Sequence, residues 1–157
     1  MATAYLGLGG NLGNRAAFLH AALDTIAARG IGTLTAVANF IETSPWGVAD
    51  QPAFLNTAAA LATSLSPTAL LAELKRLETQ LGRQSRAHWG PREIDVDILL
   101  YDDLVLATPQ LTLPHPHLHE RDFVLRPLAQ IAPDLRHPVL GVTISTLLAR
   151  RRRPVAG

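Results

Sequence analysis

The 157-residue chain contains no cysteine, which excludes a disulfide framework and any thiolate-held metal, and with them the small secreted and zinc-finger classes. The same absence agrees with a reducing cytoplasm. No apolar run approaches the roughly 20 residues needed to span a bilayer, and no basic stretch precedes the apolar start MATAYLGLGGN, so neither a membrane segment nor a secretory leader is expected. A general basic surface is lacking too. The net charge is +1, and the run Arg150 to Arg153 supplies four of the fourteen basic residues, leaving the remainder acidic. Such a run beside a C-terminus reads first as a solvated, frayed end, with a nucleic-acid or acidic-membrane contact as the alternative. Internal repeats and linker-like composition are also missing, so a single domain over residues 1–157 is expected, large enough to bury about two-thirds of its unfolded surface.

What the chain does hold is concentrated in His88 to Tyr101, HWGPREIDVDILLY. From Glu93 to Leu100, Ile94, Val96, Ile98 and Leu100 share one parity while Glu93, Asp95 and Asp97 share the other. On a strand this sends Asp95 and Asp97 out of one face. Two neighbouring carboxylates repel unless a cation lies between them, and hard divalent ions such as Mg²⁺ take oxygen ligands of this kind. On spacing alone, a half-exposed strand with solvated acids fits equally well. The flanks favour the metal pair: Trp89, Gly90 and Pro91 form a rigid aromatic turn, and Arg83, Arg86 and Arg92 gather positive charge nearby. Carboxylates for a metal and arginines for phosphate make a nucleotide-type site.

Ala4 to Gly9 reads as a buried strand that turns at Gly9, Gly10 and Asn11. Asn14 then caps a helix whose apolar residues are Phe18, Leu19, Ala22, Leu23 and Ile26, stopped by Gly30. Leu34 to Ile41 is strand-like. Thr43 to Pro52, with three turn-forming residues at Pro45, Gly47 and Pro52, reads as a loop, and Ala53 to Ala62 as a further strand. Ser66 and Pro67 open a helix with the apolar face Leu70, Leu71, Leu74, Leu77 and Leu81, closed by Gly82. The Asp95 strand follows. This order, β-α-β-β-α-β, predicts an α+β ferredoxin-like sandwich, an antiparallel sheet with both helices on one face. Asp102 to Gly157 reads as an extension: a hairpin near Val105 and Leu113, a loop rich in proline and histidine, and a short helix around Phe123 to Ile131.

GLGGNLGNR lacks the lysine and the serine or threonine of a P-loop and reads as a tight turn. His115, His117 and His119 alternate; on an extended segment they would face one way and hold a transition metal, which would make the chain a histidine/aspartate metal-dependent hydrolase. One histidine on a phosphate with two at the surface is the competing arrangement. Trp46, Phe54 and Asn56 offer rings and an amide suited to a flat aromatic substrate, against the plainer reading of core aromatics. Arg121, opening the last helix, reaches either a phosphate or a carboxylate.

The blocks YLGLGGNLGNR, ETSPWGVADQPAFLN, LGRQSRAHWGPREIDVDILLYDD and LPHPHLHERDFVLRPLAQIAPDL stand in the order and spacing of the 6-hydroxymethyl-7,8-dihydropterin pyrophosphokinases of folate biosynthesis, which the chain resembles from about Ala4 to Pro138. The resemblance implies a ferredoxin-like fold with three mobile loops, and a cytoplasmic, monomeric enzyme that moves pyrophosphate from ATP to the pterin hydroxymethyl group and releases AMP. It further implies that Asp95 and Asp97 bind two Mg²⁺ ions, that Asp95 orients or deprotonates the hydroxyl, and that Arg83 and Arg92 contact phosphates. By the same resemblance Glu78, Ile98, Thr112, His115 and Arg121 line the nucleotide site and Trp89 lies on a closing loop. The pterin is expected between Phe54 and Phe123, its edge read by Asn56 and the backbone of Thr43, Ser44 and Trp46. Family members often carry a second arginine two residues beyond the one matched by Arg83; here Ser85 stands there, with Arg86 next to it.

Overall fold

A computed structural model describes residues 1–43, 52–82 and 93–152. The first strand, β1 (Ala2–Gly10), sends Ala4, Leu6 and Leu8 into one face of the sheet and turns Tyr5, Gly7 and Gly9 to the other. Helix α1 (Arg15–Ala28) starts where expected, with the Asn14 side chain accepting from the Ala17 N–H, and buries Leu19, Ala22, Leu23 and Ile26. Gly30, at φ +66°, turns the chain back in a left-handed conformation that favours glycine.

The strand expected over Leu34 to Ile41 is in fact two, β2 (Thr33–Val37) and β3 (Ile41–Thr43), both antiparallel to β4 (Phe54–Thr63). The interruption has a physical cause. The Ala38 N–H still donates to Ala58 O, but side chains take over the rest: the Thr57 hydroxyl donates to Ala38 O and Gln130 Oε1 accepts from Asn39 N–H. Thr43 ends β3 and so lies on a strand, not in the loop to which the sequence reading assigned it; residues 44–51 of that loop lie outside the described residues.

Helix α2 (Pro67–Gln80) begins at the Ser66 cap with proline in its first turn and buries Leu70, Leu74 and Leu77. Strand β5 (Asp95–Tyr101) then lies along β1, giving the order β2-β4-β1-β5 with every pairing antiparallel. This is the ferredoxin-like arrangement, with α1 and α2 covering one face. One parity expectation fails. A bulge makes Tyr5 pair with Leu100 but Leu6 with Ile98, so Val96 and Ile98 point into the α1/α2 core while Leu99 and Leu100 both join the opposite one.

The hairpin β6 (Leu106–Ala107) and β7 (Thr112–Leu113) forms as expected, as does α3 (Asp122–Ile131). Of the C-terminal arginines read as a frayed end, Arg150 to Arg152 instead close a further helix, α4 (Ile144–Arg152), and Arg153 lies outside the described residues. Its residues Ile144, Leu147 and Leu148 pack with α3 on the second face of the sheet. Within the extension, α3 and α4 form a third layer, while Leu111 and Leu113 join the α1/α2 core. The signals for α4 were Thr143, whose hydroxyl accepts from the Thr146 N–H, followed by apolar residues at helical spacing.

Candidate active site

Before its bulge, β5 alternates regularly, and Asp95 and Asp97 leave the sheet on the α3/α4 side. Asp95 lies opposite Gly9 and Asp97 opposite Gly7, and across β1 the same two glycines face Asn56 and Ala58 of β4. The rows Asn56-Gly9-Asp95 and Ala58-Gly7-Asp97 thus have no side chain at their centres. A Cβ on Gly9 would stand 2.3 Å from Asn56 Oδ1, so glycine is required for the amide to lie over the strand. Asn56 is held there by donating from Nδ2 to Thr43 Oγ1 at 2.6 Å. Phe54, two residues earlier on β4, shares its parity.

Burial, reinforced by the negative charge of Asp95, raises the Asp97 carboxyl from the usual 3.8 to about 7; Lys75 and Arg121 pull it down and Glu78 pushes it further up. Two crowded, partly withdrawn carboxylates fit a hard divalent cation, which would offset their repulsion with the oxygen ligands it prefers. Glu78, 2% exposed on α2, accepts from the Val96 N–H at 2.7 Å, on the strand between the two acids, and pairs with Lys75 Nζ at 3.1 Å.

On the other flank, His115 is anchored by its own N–H to Leu99 O at 2.9 Å. Burial, with the positive charges of Arg121 and His117, lowers its pKa from 6.5 to about 4 against the pull of Asp95. The ring is neutral at neutral pH, and its Nδ1 accepts from the His117 N–H at 3.2 Å. The proton is therefore on Nε2, a donor suited to a phosphate oxygen. Arg121 precedes α3 with its guanidinium carbon 5.6 Å from the centre of the Phe123 ring.

The structure brings together Thr43, Phe54, Asn56, Glu78, Asp95, Asp97, His115, Arg121 and Phe123 around the strand ends of one sheet. Ile98 points into the α1/α2 core, leaving its main chain for any ligand, and Thr112 is exposed on β7. Ser44, Trp46, Arg83, Trp89 and Arg92 lie outside the described residues. Sequence reasoning passed over Lys75, whose signal was its spacing of three from Glu78 on one helix, and Gly7; it gave Gly9 and Gly10 to a turn, whereas both stay in β1 paired with Asn56 and Leu55.

The metal-dependent hydrolase reading fails. The three histidines do not run extended: a turn and a short helix of 3-10 type over Leu118–Glu120 follow His117, and although the His115 and His117 rings lie 6.1 Å apart, His117 and His119 turn to a glutamate and not to an aspartate of the site. His117 Nδ1 lies 3.2 Å and His119 Nε2 3.5 Å from the carboxylate of Glu120. Among the described residues no group of three or more histidines and carboxylates is placed to hold a metal ion.

Comparison with known proteins identifies the family. Residues 5–133 match the family model described as 7,8-dihydro-6-hydroxymethylpterin-pyrophosphokinase. The chain is 45% identical over 151 residues to the 2-amino-4-hydroxy-6-hydroxymethyldihydropteridine pyrophosphokinase of Methylorubrum extorquens, covering 96% of this chain and 94% of that one. To the enzyme of the same name from Aquifex aeolicus it is 42% identical over 139 residues, 88% and 86% of the two chains. In fold it is similar to the Plasmodium falciparum HPPK-DHPS crystallised with pteroate, with a TM-score of 0.78 at 16% identity over 95% of this chain; it spans 42% of that longer chain. With a family model matched over most of its length and relatives this similar along nearly all of theirs, the chain belongs to the 7,8-dihydro-6-hydroxymethylpterin-pyrophosphokinase family.

Proposed function

We infer that the chain transfers the pyrophosphoryl group of ATP to the hydroxymethyl oxygen of 6-hydroxymethyl-7,8-dihydropterin in folate biosynthesis. In that reaction the hydroxymethyl oxygen bonds to the β-phosphorus, the bond from the bridging oxygen to that phosphorus breaks, and AMP leaves. The observation that carries the reading is the Asp95/Asp97 pair beside a glycine floor, with Asn56 and Phe54 across it and His115 and Arg121 along its rim.

Little covalent chemistry falls to a protein in phosphoryl transfer, so placement and charge do most of the catalysis. Asp95 and Asp97 are the residues that would hold magnesium, and we propose two ions. Bound there, magnesium supplies neutralisation of phosphate charge and alignment of the two reacting oxygens. Asp95 orients the hydroxymethyl group and takes its proton. Arg121 and the Nε2–H of His115 meet phosphate oxygens, as do Arg83 and Arg92 on the strength of the family resemblance. Glu78, Ile98 and Thr112 line the nucleotide. The pterin lies between Phe54 and Phe123, its edge read by Asn56, Thr43, Ser44 and Trp46, and Trp89 belongs to a loop that keeps out water, the competing nucleophile.

We further propose that all 157 residues act as one unit, as a monomer in the cytoplasm. The absence of cysteine agrees with the compartment. Nucleotide product analysis with ATP, Mg²⁺ and the pterin tests the reaction. AMP appearing in step with pterin diphosphate, and only when the pterin is present, is expected; ADP, or no turnover by folded, metal-loaded protein, would sink it.

A further inference from the structure

The motif GLGGNLGNR has so far contributed a floor and a helix cap, yet its last residue does something else. Arg15, at the first position of α1, donates from Nη1 to Ala53 O at 2.9 Å and from Nη2 to Glu42 Oε2 at 3.1 Å. Those two partners stand at the ends of adjacent strands: Glu42 is next to Thr43 on β3, Ala53 next to Phe54 on β4, and Thr43 pairs directly with Phe54. Asn11, 2% exposed and from the same motif, donates from Nδ2 to Pro52 O at 2.9 Å. One short N-terminal segment thus grips both sides of the β3/β4 pair where the pterin-binding side chains begin.

The guanidinium suits this task. Its planar fork reaches two acceptors in fixed directions, where an ammonium offers a single point of charge. The ion pair with Glu42, whose side chain is 62% exposed, contributes little stability by itself. Its value lies in holding the end of β3 and the start of β4 at a set spacing. A flat ring reads Phe54 and Asn56 together only if those groups are already in place, and ordering them at the moment of binding would weaken affinity.

We propose that Arg15 is a positioning residue for the pterin subsite, bridging Glu42 and the Ala53 carbonyl so that Phe54, Thr43 and Asn56 are preorganised for the ring. The proposal rests on the pterin-subsite reading above. It assigns Arg15 no contact with nucleotide or magnesium, so its effect belongs to one substrate alone.

The test is steady-state kinetics of Arg15→Met, together with pterin binding measured in the presence of Mg²⁺ and an ATP analogue carrying a methylene between the α- and β-phosphorus. The expected result is a rise in KM and Kd for the pterin of about tenfold. KM for ATP should stay within about twofold and kcat fall by less than that, and the melting temperature should hold within a few degrees, as suits a partly exposed residue. Arg15→Lys should recover part of the pterin affinity. Equal losses for both substrates, or a pterin affinity unchanged while Asn56→Ala destroys it, would overturn the role. If Asn56→Ala is also silent, the pterin-subsite reading itself fails and takes the proposal with it. Glu42→Ala guards against misfolding of the first variant: it should shift the same KM in the same direction by a smaller factor, and no shift counts against the bridge.

Discussion

Asp97 is the residue where folding and function conflict. In the folded, metal-free chain it keeps a proton up to about pH 7, whereas unfolded it ionises near 3.8. Between those values the folded chain holds more protons, so Asp97 makes stability fall as pH rises. His115 acts in the opposite sense. It loses its proton at about 4 when folded and near 6.5 when unfolded, so across that window it makes stability rise with pH. The two largely cancel in the native sequence. Replacing Asp97 by Asn should expose the histidine: urea denaturation of the metal-free variant is expected to show stability climbing from about pH 4 to about pH 6.5 more steeply than in the parent, then levelling. At about pH 8 the variant should be the more stable by on the order of 2 kcal/mol. If it is no more stable there, Asp97 is not held in an unfavourable field. The same substitution, or Asp97→Ala, should lower pyrophosphoryl transfer by a factor of about a thousand, on the order of 4 kcal/mol of barrier, without loss of the folded state by circular dichroism. Near-normal turnover would remove the metal-site assignment.

At the scale of the element, strand β1 decides how much room the site has. It is apolar where Ala4, Leu6 and Leu8 face α1 and α2, and carries no side chain at Gly7 and Gly9 beside the acids, where Leu99 and Asn56 lie over it. A methyl at position 9 would meet Asn56 Oδ1 at 2.3 Å, and that amide, tied to Thr43, has to move. Gly9→Ala should therefore raise KM for the pterin and leave KM for ATP within about twofold; equal changes in both would argue that the floor serves the whole site. Gly32 makes a contrasting case. A Cβ there would stand 2.6 Å from the main-chain oxygen of Ala62 and 2.7 Å from Leu61 Cδ1, at the opposite end of β4 from Phe54 and Asn56. Gly32→Ala is expected to destabilise by about 1–3 kcal/mol, typical of overpacking, with both KM values preserved, as thermal melts and kinetics together can establish.

The two helices on the first face were legible in the sequence because their determinants are local. Asn14 and Ser66 cap, Gly30 and Gly82 stop, and the apolar spacing between them is helical. The β5 bulge was not. Whether Leu100 faces one layer or the other is set by how Tyr5 and Leu6 pair across the sheet, and nothing in ILLY carries that information. Likewise the histidines of LPHPHLH alternate in sequence but do not share one face, because the chain turns into a short helix and His117 and His119 close on Glu120.

At the scale of the molecule, α3 and α4 convert a two-layer sandwich into three layers and supply the site's far wall. Arg121 and Phe123 stand at the start of α3, whose Val124, Leu125 and Leu128 rest on Leu99, Leu100 and Ala58 together with Ile144, Leu147 and Leu148 of α4. Truncating Leu147 to Ala opens a cavity behind that wall. A loss of about 2–4 kcal/mol is expected, accompanied by a fall in kcat as Arg121 and Phe123 loosen. Unchanged kinetics at a lowered melting temperature would mean that α4 only closes the core. The arginines that end α4 carry less weight. Arg151 lies 3.9 Å from Asp122 at an exposed position, where an ion pair contributes little.

The sequence by itself determined the alternation that puts Asp95 and Asp97 on one face, the helix boundaries, and four motif blocks whose order resembles one family, because each depends on neighbours a few residues apart. Only the tertiary structure decided that the acids pair across the sheet with glycines, that Glu78 reaches the strand between them, that His115 is neutral, and that Arg15 grips the strands carrying Phe54 and Thr43. Each of these joins residues far apart in the chain. Their energies come from burial and from charges brought together by the sheet, which exist only once β1, β4 and β5 have paired.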